Sequence, residues 1–219
     1  VIAALVFDFD GVIADSEPLH LRAYQEILEP LGVSLPREEY YARYLGYDDA
    51  EMFRQLAESR GWEIDEPRIA ALIDEKTRVF DAFMTSGDHI YPGAADCIAR
   101  LAASYPLGIA SGAMRHEIEA MLHGAGLNGH FRFVVAAGET PAGKPAPDPY
   151  RRAAELHGRS PEQCLAIEDS RWGIESAKAA GLWCIGITNT YPVSELLTAD
   201  AIITSLAELT PELIRGLKA

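Results

Sequence analysis

Six short apolar runs set the strongest limit on the fold of this chain: Ala3–Phe9, Leu107–Ala110, Phe133–Ala136, Cys164–Ile167, Trp183–Ile187 and Ala201–Ile203. They are strand-length and do not alternate polar with apolar residues, so each strand is expected to be buried on both faces. Stretches of helical character separate them: Ala94–Ser104, Arg115–Gly124, a segment from Asp148-Pro149 to Gly158, a short piece opening at Ser160-Pro161, and Gly173–Gly181. In Asp148-Pro149 the carboxylate is expected to cap the helix, with the proline at its first position. Strands alternating with helices predict an α/β fold with a parallel, doubly wound sheet, and ligands of such sheets bind at the carboxyl ends of the strands.

Residues 16–86 break this pattern. Leu19, Ala23, Ile27 and Leu31 fall on one helical face, and Met52, Phe53, Leu56 and Ala57 follow. A third set runs from Ile69 through Leu72, Ile73, Lys76, Val79 and Phe80 to Phe83. With Tyr40, Tyr41, Tyr44 and Leu45 these predict about four helices in a small bundle. The chain is 219 residues long, which suits one large domain or a core with an insert. The expected division is an α/β core of 1–15 and 87–219, with a helical insert at 16–86.

Composition narrows the partners. There are 19 Lys and Arg against 33 Asp and Glu, a formal charge of −14. That balance argues against a nucleic-acid backbone and against an anionic membrane surface. No apolar run approaches the roughly 18 residues a membrane span needs. The opening VIAALVFDFDG has no basic leader and reads as a buried strand rather than a signal peptide. The three cysteines, Cys97, Cys164 and Cys184, form no CxxC pair and have no zinc-ligand spacing. A reducing cytoplasm and a monomer are the expectations.

The chemistry-bearing residues gather at strand ends. Asp8 and Asp10 are two apart, so in an extended chain they point to one side, and Gly11 permits a sharp turn after them. The fourth run ends in Glu168-Asp169-Ser170. Parallel strands place all four acids at one sheet edge, where they repel one another unless protonated or neutralised. A hard divalent cation resolves this, and Mg²⁺ suits a site that also takes phosphate. The second run leads into Ser111-Gly112, where a hydroxyl, backbone N–H groups and a following helix form a small anion cradle. Lys144 stands in the proline-rich Gly143-Lys144-Pro145-Ala146-Pro147, a stiff loop that holds the charge in place. Gly138 to Lys144 also matches seven positions of a phosphate-binding P-loop, but the eighth is Pro145 rather than Ser or Thr. Two prolines there oppose the helix a P-loop requires.

Taken in chain order, DFDGVIADSE, ASG, GKPAPDPY and IEDS resemble the four motifs of the haloacid dehalogenase superfamily. The resemblance is to the branch with a helical cap after the first motif, and within it to β-phosphoglucomutase-like phosphatases and mutases, including Asp15, His20 and Arg22. It implies Asp8 as nucleophile and Asp10 as acid and base. It implies Mg²⁺ held by Asp8, Asp10 through its backbone carbonyl, Glu168 and Asp169, and phosphate bound by Ser111, Gly112 and Lys144. A closing cap would exclude water, with hinges near Asp15–Pro18 and Thr85–Asp88 and with His20 linking closure to Asp10. Substrate selection would fall to the cap loop around Gly46 and Tyr47. Because Leu45-Gly46-Tyr47-Asp48-Asp49 carries two acids and no cation, a second phosphate would be repelled there. The expected activity is hydrolysis of a small phosphomonoester. The alternatives are a phosphosugar mutase, then a P-loop kinase or a non-catalytic binding module.

Overall fold

The computed structural model describes residues 1–45, 47–84 and 89–217. Among them six strands form one parallel sheet: β1 (Ala4–Phe7), β2 (Leu107–Ala110), β3 (Phe131–Val135), β4 (Cys164–Glu168), β5 (Trp183–Ile187) and β6 (Ala201–Ile203). Their order is β3-β2-β1-β4-β5-β6. β1, β2 and β4 are buried along their whole length, which is why their sequences are apolar without alternation. β3 begins two residues earlier than its apolar run because Phe131 and Arg132 lie on a partly exposed edge strand.

The helices are α1 (Glu17–Leu28), α2 (Arg37–Arg43), α3 (Asp49–Arg60), α4 (Glu66–Phe83), α5 (Ala94–Ala102), α6 (Arg115–Gly124), α7 (Asp148–His157), α8 (Arg171–Ala179) and α9 (Pro211–Gly216). α7 differs at its start from expectation: Pro147 is the N-cap, Asp148 is already helical, and no side chain caps it. Its end is as the sequence suggests, with Gly158 in the left-handed conformation at φ 65°. On one face of the sheet, Tyr150, Ala153 and Ala154 of α7 and Ile174 and Ala177 of α8 pack with Ala4, Val6, Cys164 and Ala166. No helix among the described residues is long and apolar enough to cross a membrane.

The chain divides into two compact units, Val1–Asp15 with Ser86–Ala219, and Ser16–Thr85. The second holds α1 to α4 around Leu21, Tyr24, Ile27, Leu28, Tyr40, Phe53, Leu56 and Leu72. Asp48 caps α3 by accepting from Glu51 N–H at 2.8 Å, and Asp65 caps α4 from Arg68 N–H at 2.9 Å. Leu31 departs from the expected face: it lies in a 3-10 turn after α1 and is exposed, because the helix ends at Leu28.

Candidate active site

β1 and β4 are neighbours, yet the chain leaves β1 toward β2 on one side and enters β4 on the other. This is the switch point of the sheet, where loops diverge and leave a crevice. The register puts Phe7 opposite Ile167, and Asp8 N–H donates to the Ile167 carbonyl at 2.9 Å. Asp8 is therefore level with Glu168. Ligand oxygens of Asp8, Glu168 and Asp169 all lie within 4.8 Å of one another, and all three residues are buried.

Lys144 answers this charge. Its Nζ lies 2.6 Å from Glu168 Oε1 and 2.9 Å from Asp8 Oδ1. The loop from Gly138 is thus not a P-loop: no helix starts at Lys144, and α7 begins only at Asp148. Asp8 Oδ1 also accepts from Phe9 N–H at 2.7 Å. Ser111 follows β2, is buried, and donates its N–H to Val135 at 2.9 Å. Its hydroxyl accepts from Ala113 N–H at 3.1 Å, so it shapes the turn that leads to α6. Gly112 in the same turn is exposed, with nothing within 4 Å of the place a Cβ would take.

Two glycines let backbone approach the acids. Gly11 has φ +73°, and a Cβ there would sit 1.9 Å from Asp169 Oδ2 and 2.6 Å from Thr190 Oγ1. Gly173, in the first turn of α8, would place a Cβ 1.9 Å from Glu168 Oε1. The helix start is thereby packed onto the Glu168 carboxylate. Gly173→Ala is expected to destabilise the protein by about 2 kcal/mol through overpacking and to displace Glu168 from Lys144. Urea unfolding with a parallel assay checks this; a variant within about 0.5 kcal/mol of the parent would refute the close approach.

The electrostatics follow from burial. Asp8 is pushed up to about 7 by desolvation first and by Glu168 next, with Lys144 pulling it down and Asp10 adding a smaller upward push. Asp169 is raised well above the carboxylate range by burial, Asp8 and Glu168, while a hydrogen bond with Thr190 opposes the shift. Burial alone would lower Lys144, but Asp8 and Glu168 outweigh it and hold the ammonium above the usual lysine range.

Four residues at this site were not singled out by the sequence reading. Tyr150 donates to Glu168 Oε1 at 2.6 Å. Ser170, not Asp169, caps α8, accepting from Gly173 N–H at 3.1 Å, which leaves Asp169 for the site. Asn189 Nδ2 donates to the Gly11 carbonyl at 2.8 Å, and Thr190 bonds Asp169. Asn189 and Thr190 stand just past the carboxyl end of β5, a position the sheet-edge rule alone could have flagged.

The expected insert residues sit as follows. His20 Nδ1 accepts from Lys76 Nζ at 2.8 Å and stacks on Phe80 at 4.2 Å. Burial, then Lys76, lowers it to about 3, so it is a neutral acceptor within the helical unit. Asp49 pairs with Lys76 at 3.0 Å and accepts from the Tyr24 hydroxyl, so with Asp48 as a cap both acids are engaged inside that unit. Tyr47 is 48% exposed, while Gly46 and the expected hinge at 85–88 lie outside the described residues. Arg115, at the start of α6, is bound to Glu139 at 2.6 Å and to Glu119 at 3.0 Å.

A family model of haloacid dehalogenase-like hydrolases matches residues 2–181. Protein CbbY of Cereibacter sphaeroides is 37% identical over 95% of this chain and 94% of its own length. Fructose-1-phosphate phosphatase YqaB of Escherichia coli is 30% identical over 84% of this chain and 96% of its own. A crystal structure of mutant CbbY from Rhodobacter sphaeroides in complex with xylulose 1,5-bisphosphate superposes with a TM-score of 0.81 at 32% identity, covering 95% of this chain and 96% of that one.

Proposed function

The chain belongs to the haloacid dehalogenase-like hydrolases, and from that premise we propose that it is a phosphatase which hydrolyses a small phosphomonoester, a sugar phosphate or similar metabolite, through an aspartyl-phosphate on Asp8. One observation carries the reading: a buried carboxylate at the sheet's switch point, 2.9 Å from a fixed ammonium and beside two further buried acids.

The donor set fits magnesium. Three hard carboxylates face a single ammonium, and two of them are held above the range in which carboxylates ordinarily ionise. Asp8 and Asp169 would hold the ion, with the Asp10 backbone carbonyl and Glu168 as the further ligands the family resemblance implies. When bound, it would neutralise the acids and the charge on the phosphoryl oxygens. In the mechanism, the Asp8 carboxylate attacks phosphorus and the bond to the leaving oxygen breaks. Asp10 gives that oxygen a proton, then takes one from the water that attacks the aspartyl-phosphate. Lys144, Ser111 and Gly112 bind the transferred phosphoryl group. The helical unit, with His20, Gly46 and Tyr47, is assigned to substrate selection. The reading takes in a monomer of a reducing cytoplasm, for which the support is a sequence of three cysteines with no CxxC pair.

The test follows products. With β-glucose 1-phosphate, Mg²⁺ and a trace of the bisphosphate, inorganic phosphate should appear faster than glucose 6-phosphate, and a panel of sugar monophosphates should yield phosphate without nucleotide. Faster glucose 6-phosphate would restore the mutase.

Metal removal gives a separate expectation. Chelator should abolish turnover and Mg²⁺ restore it, with Ca²⁺ a poor substitute because it prefers more ligands at longer distances. Independently of activity, Mg²⁺ at a hundred times its dissociation constant should stabilise the fold by about 2.7 kcal/mol. A melting temperature indifferent to Mg²⁺ would count against the site.

A further inference from the structure

We propose that Tyr150 is a positioning residue of this site, fixing Glu168 and through it the Lys144 ammonium; the proposal deepens the phosphatase reading and rests on it. Tyr150 lies in the first turn of α7 and is wholly buried. Its hydroxyl donates to Glu168 Oε1 at 2.6 Å, the oxygen that also receives Lys144 Nζ at 2.6 Å. Lys144 Nζ stands 5.2 Å from the centroid of the Tyr150 ring, over its face. One side chain thus touches both members of the buried ion pair, the anion through its hydroxyl and the cation through its π-system.

The other Glu168 oxygen is engaged as well. Oε2 accepts from Asp169 N–H at 3.2 Å and from the Ser170 hydroxyl at 3.3 Å. An ionised carboxylate offers about four lone-pair sites, and four donors reach this one. Both oxygens of Glu168 are thus held by protein donors, with Tyr150 and Lys144 meeting on Oε1.

The catalytic consequence runs through Lys144, whose Nζ is shared between Glu168 Oε1 and Asp8 Oδ1. Without the Tyr150 hydroxyl, Oε1 has one donor fewer and draws the ammonium toward Glu168, away from Asp8. A displaced charge is felt most where phosphoryl charge shifts in the transition state, so kcat falls while KM changes little.

The experiment compares Tyr150→Phe and Glu168→Gln with the parent, reading kcat and KM on p-nitrophenyl phosphate and, without substrate, Mn²⁺ affinity by calorimetric titration. For Tyr150→Phe a kcat loss above about fivefold with KM within about threefold is expected, and a smaller kcat loss, or a larger KM rise, overturns the proposal. Tyr150→Phe should keep Mn²⁺ affinity within about tenfold of the parent, so that the kcat loss reports the placement of the Lys144 charge and not a lost metal, and a greater loss overturns the proposal. If Tyr150→Phe does not fold, Glu168→Gln decides through kcat: it removes the charge that Tyr150 holds against Lys144, and a kcat within about fivefold of the parent overturns the proposal. A parent that binds Mn²⁺ but releases no phosphate from any phosphomonoester would instead sink the phosphatase reading, which the titrations do not depend on.

Discussion

Asp8→Asn is expected to lower kcat by at least about a thousandfold, because an amide cannot form the acyl-phosphate and no step bypasses it. The substitution is nearly isosteric, and Asn can keep the 2.7 Å bond from Phe9 N–H and the 2.9 Å contact with Lys144 through its side-chain oxygen. The structure adds a second expectation of opposite sign. Asp8 is pushed up to about 7 by burial and by Glu168, so its ionised form costs the metal-free fold stability. Removing that charge should make metal-free Asp8→Asn more stable than the parent above neutral pH. Phosphate release and thermal unfolding in chelator read the two effects separately. Activity within tenfold of the parent would remove Asp8 as nucleophile, and a less stable metal-free variant would contradict the strained acid cluster.

This pairing of lost activity with gained stability reflects how the site was written into the chain. Strand-length apolar runs gave the sheet its members, and the acidic tails of β1 and β4 marked its carboxyl edge. The adjacency of β1 and β4 follows from doubly wound topology, and with it the meeting of Asp8, Glu168 and Asp169. Lys144 was legible because prolines flank it. Tyr150 was not, since an aromatic residue in the first turn of an amphipathic helix reads as core, and it is core in packing as well as a hydrogen-bond donor. Asp169 and Ser170 both have side chains able to cap the helix that follows; Ser170 takes that place, and the burial of Asp169 beside Asp8 is a tertiary fact. In the helical unit, charge counting along Leu45–Asp49 took Asp48 and Asp49 as available repulsion. Their partners, Glu51 N–H and Lys76, lie one turn and one helix away, and a buried lysine on a hydrophobic stripe gives no hint of its counter-ion.

The largest expected loss of stability is at Lys144. It is the ammonium shared by Asp8 and Glu168, and its side chain is only 12% exposed. Lys144→Met keeps the length and the apolar stem but leaves two buried carboxylates uncompensated. Breaking a buried ion pair from one side typically costs about 3–5 kcal/mol, so metal-free Lys144→Met should lose that much near neutral pH. The pH dependence fixes the cause. An acid whose folded pKa lies above its unfolded one stabilises fully below the unfolded value and loses that contribution as pH rises through the folded value. Asp8, at about 7 even with Lys144 present, meets this condition, and Asp169 is raised as well. Lys144→Met removes what holds Asp8 down, so its deficit should shrink as pH falls toward the unfolded value of about 4, below which Asp8 and Asp169 carry protons in both states. It should widen through the window from about 4 to beyond 7. Urea unfolding at pH 4.5, 6 and 8 measures it. A deficit that stays flat across these values would assign the loss to packing around the lysine stem and dissolve the electrostatic account of the site.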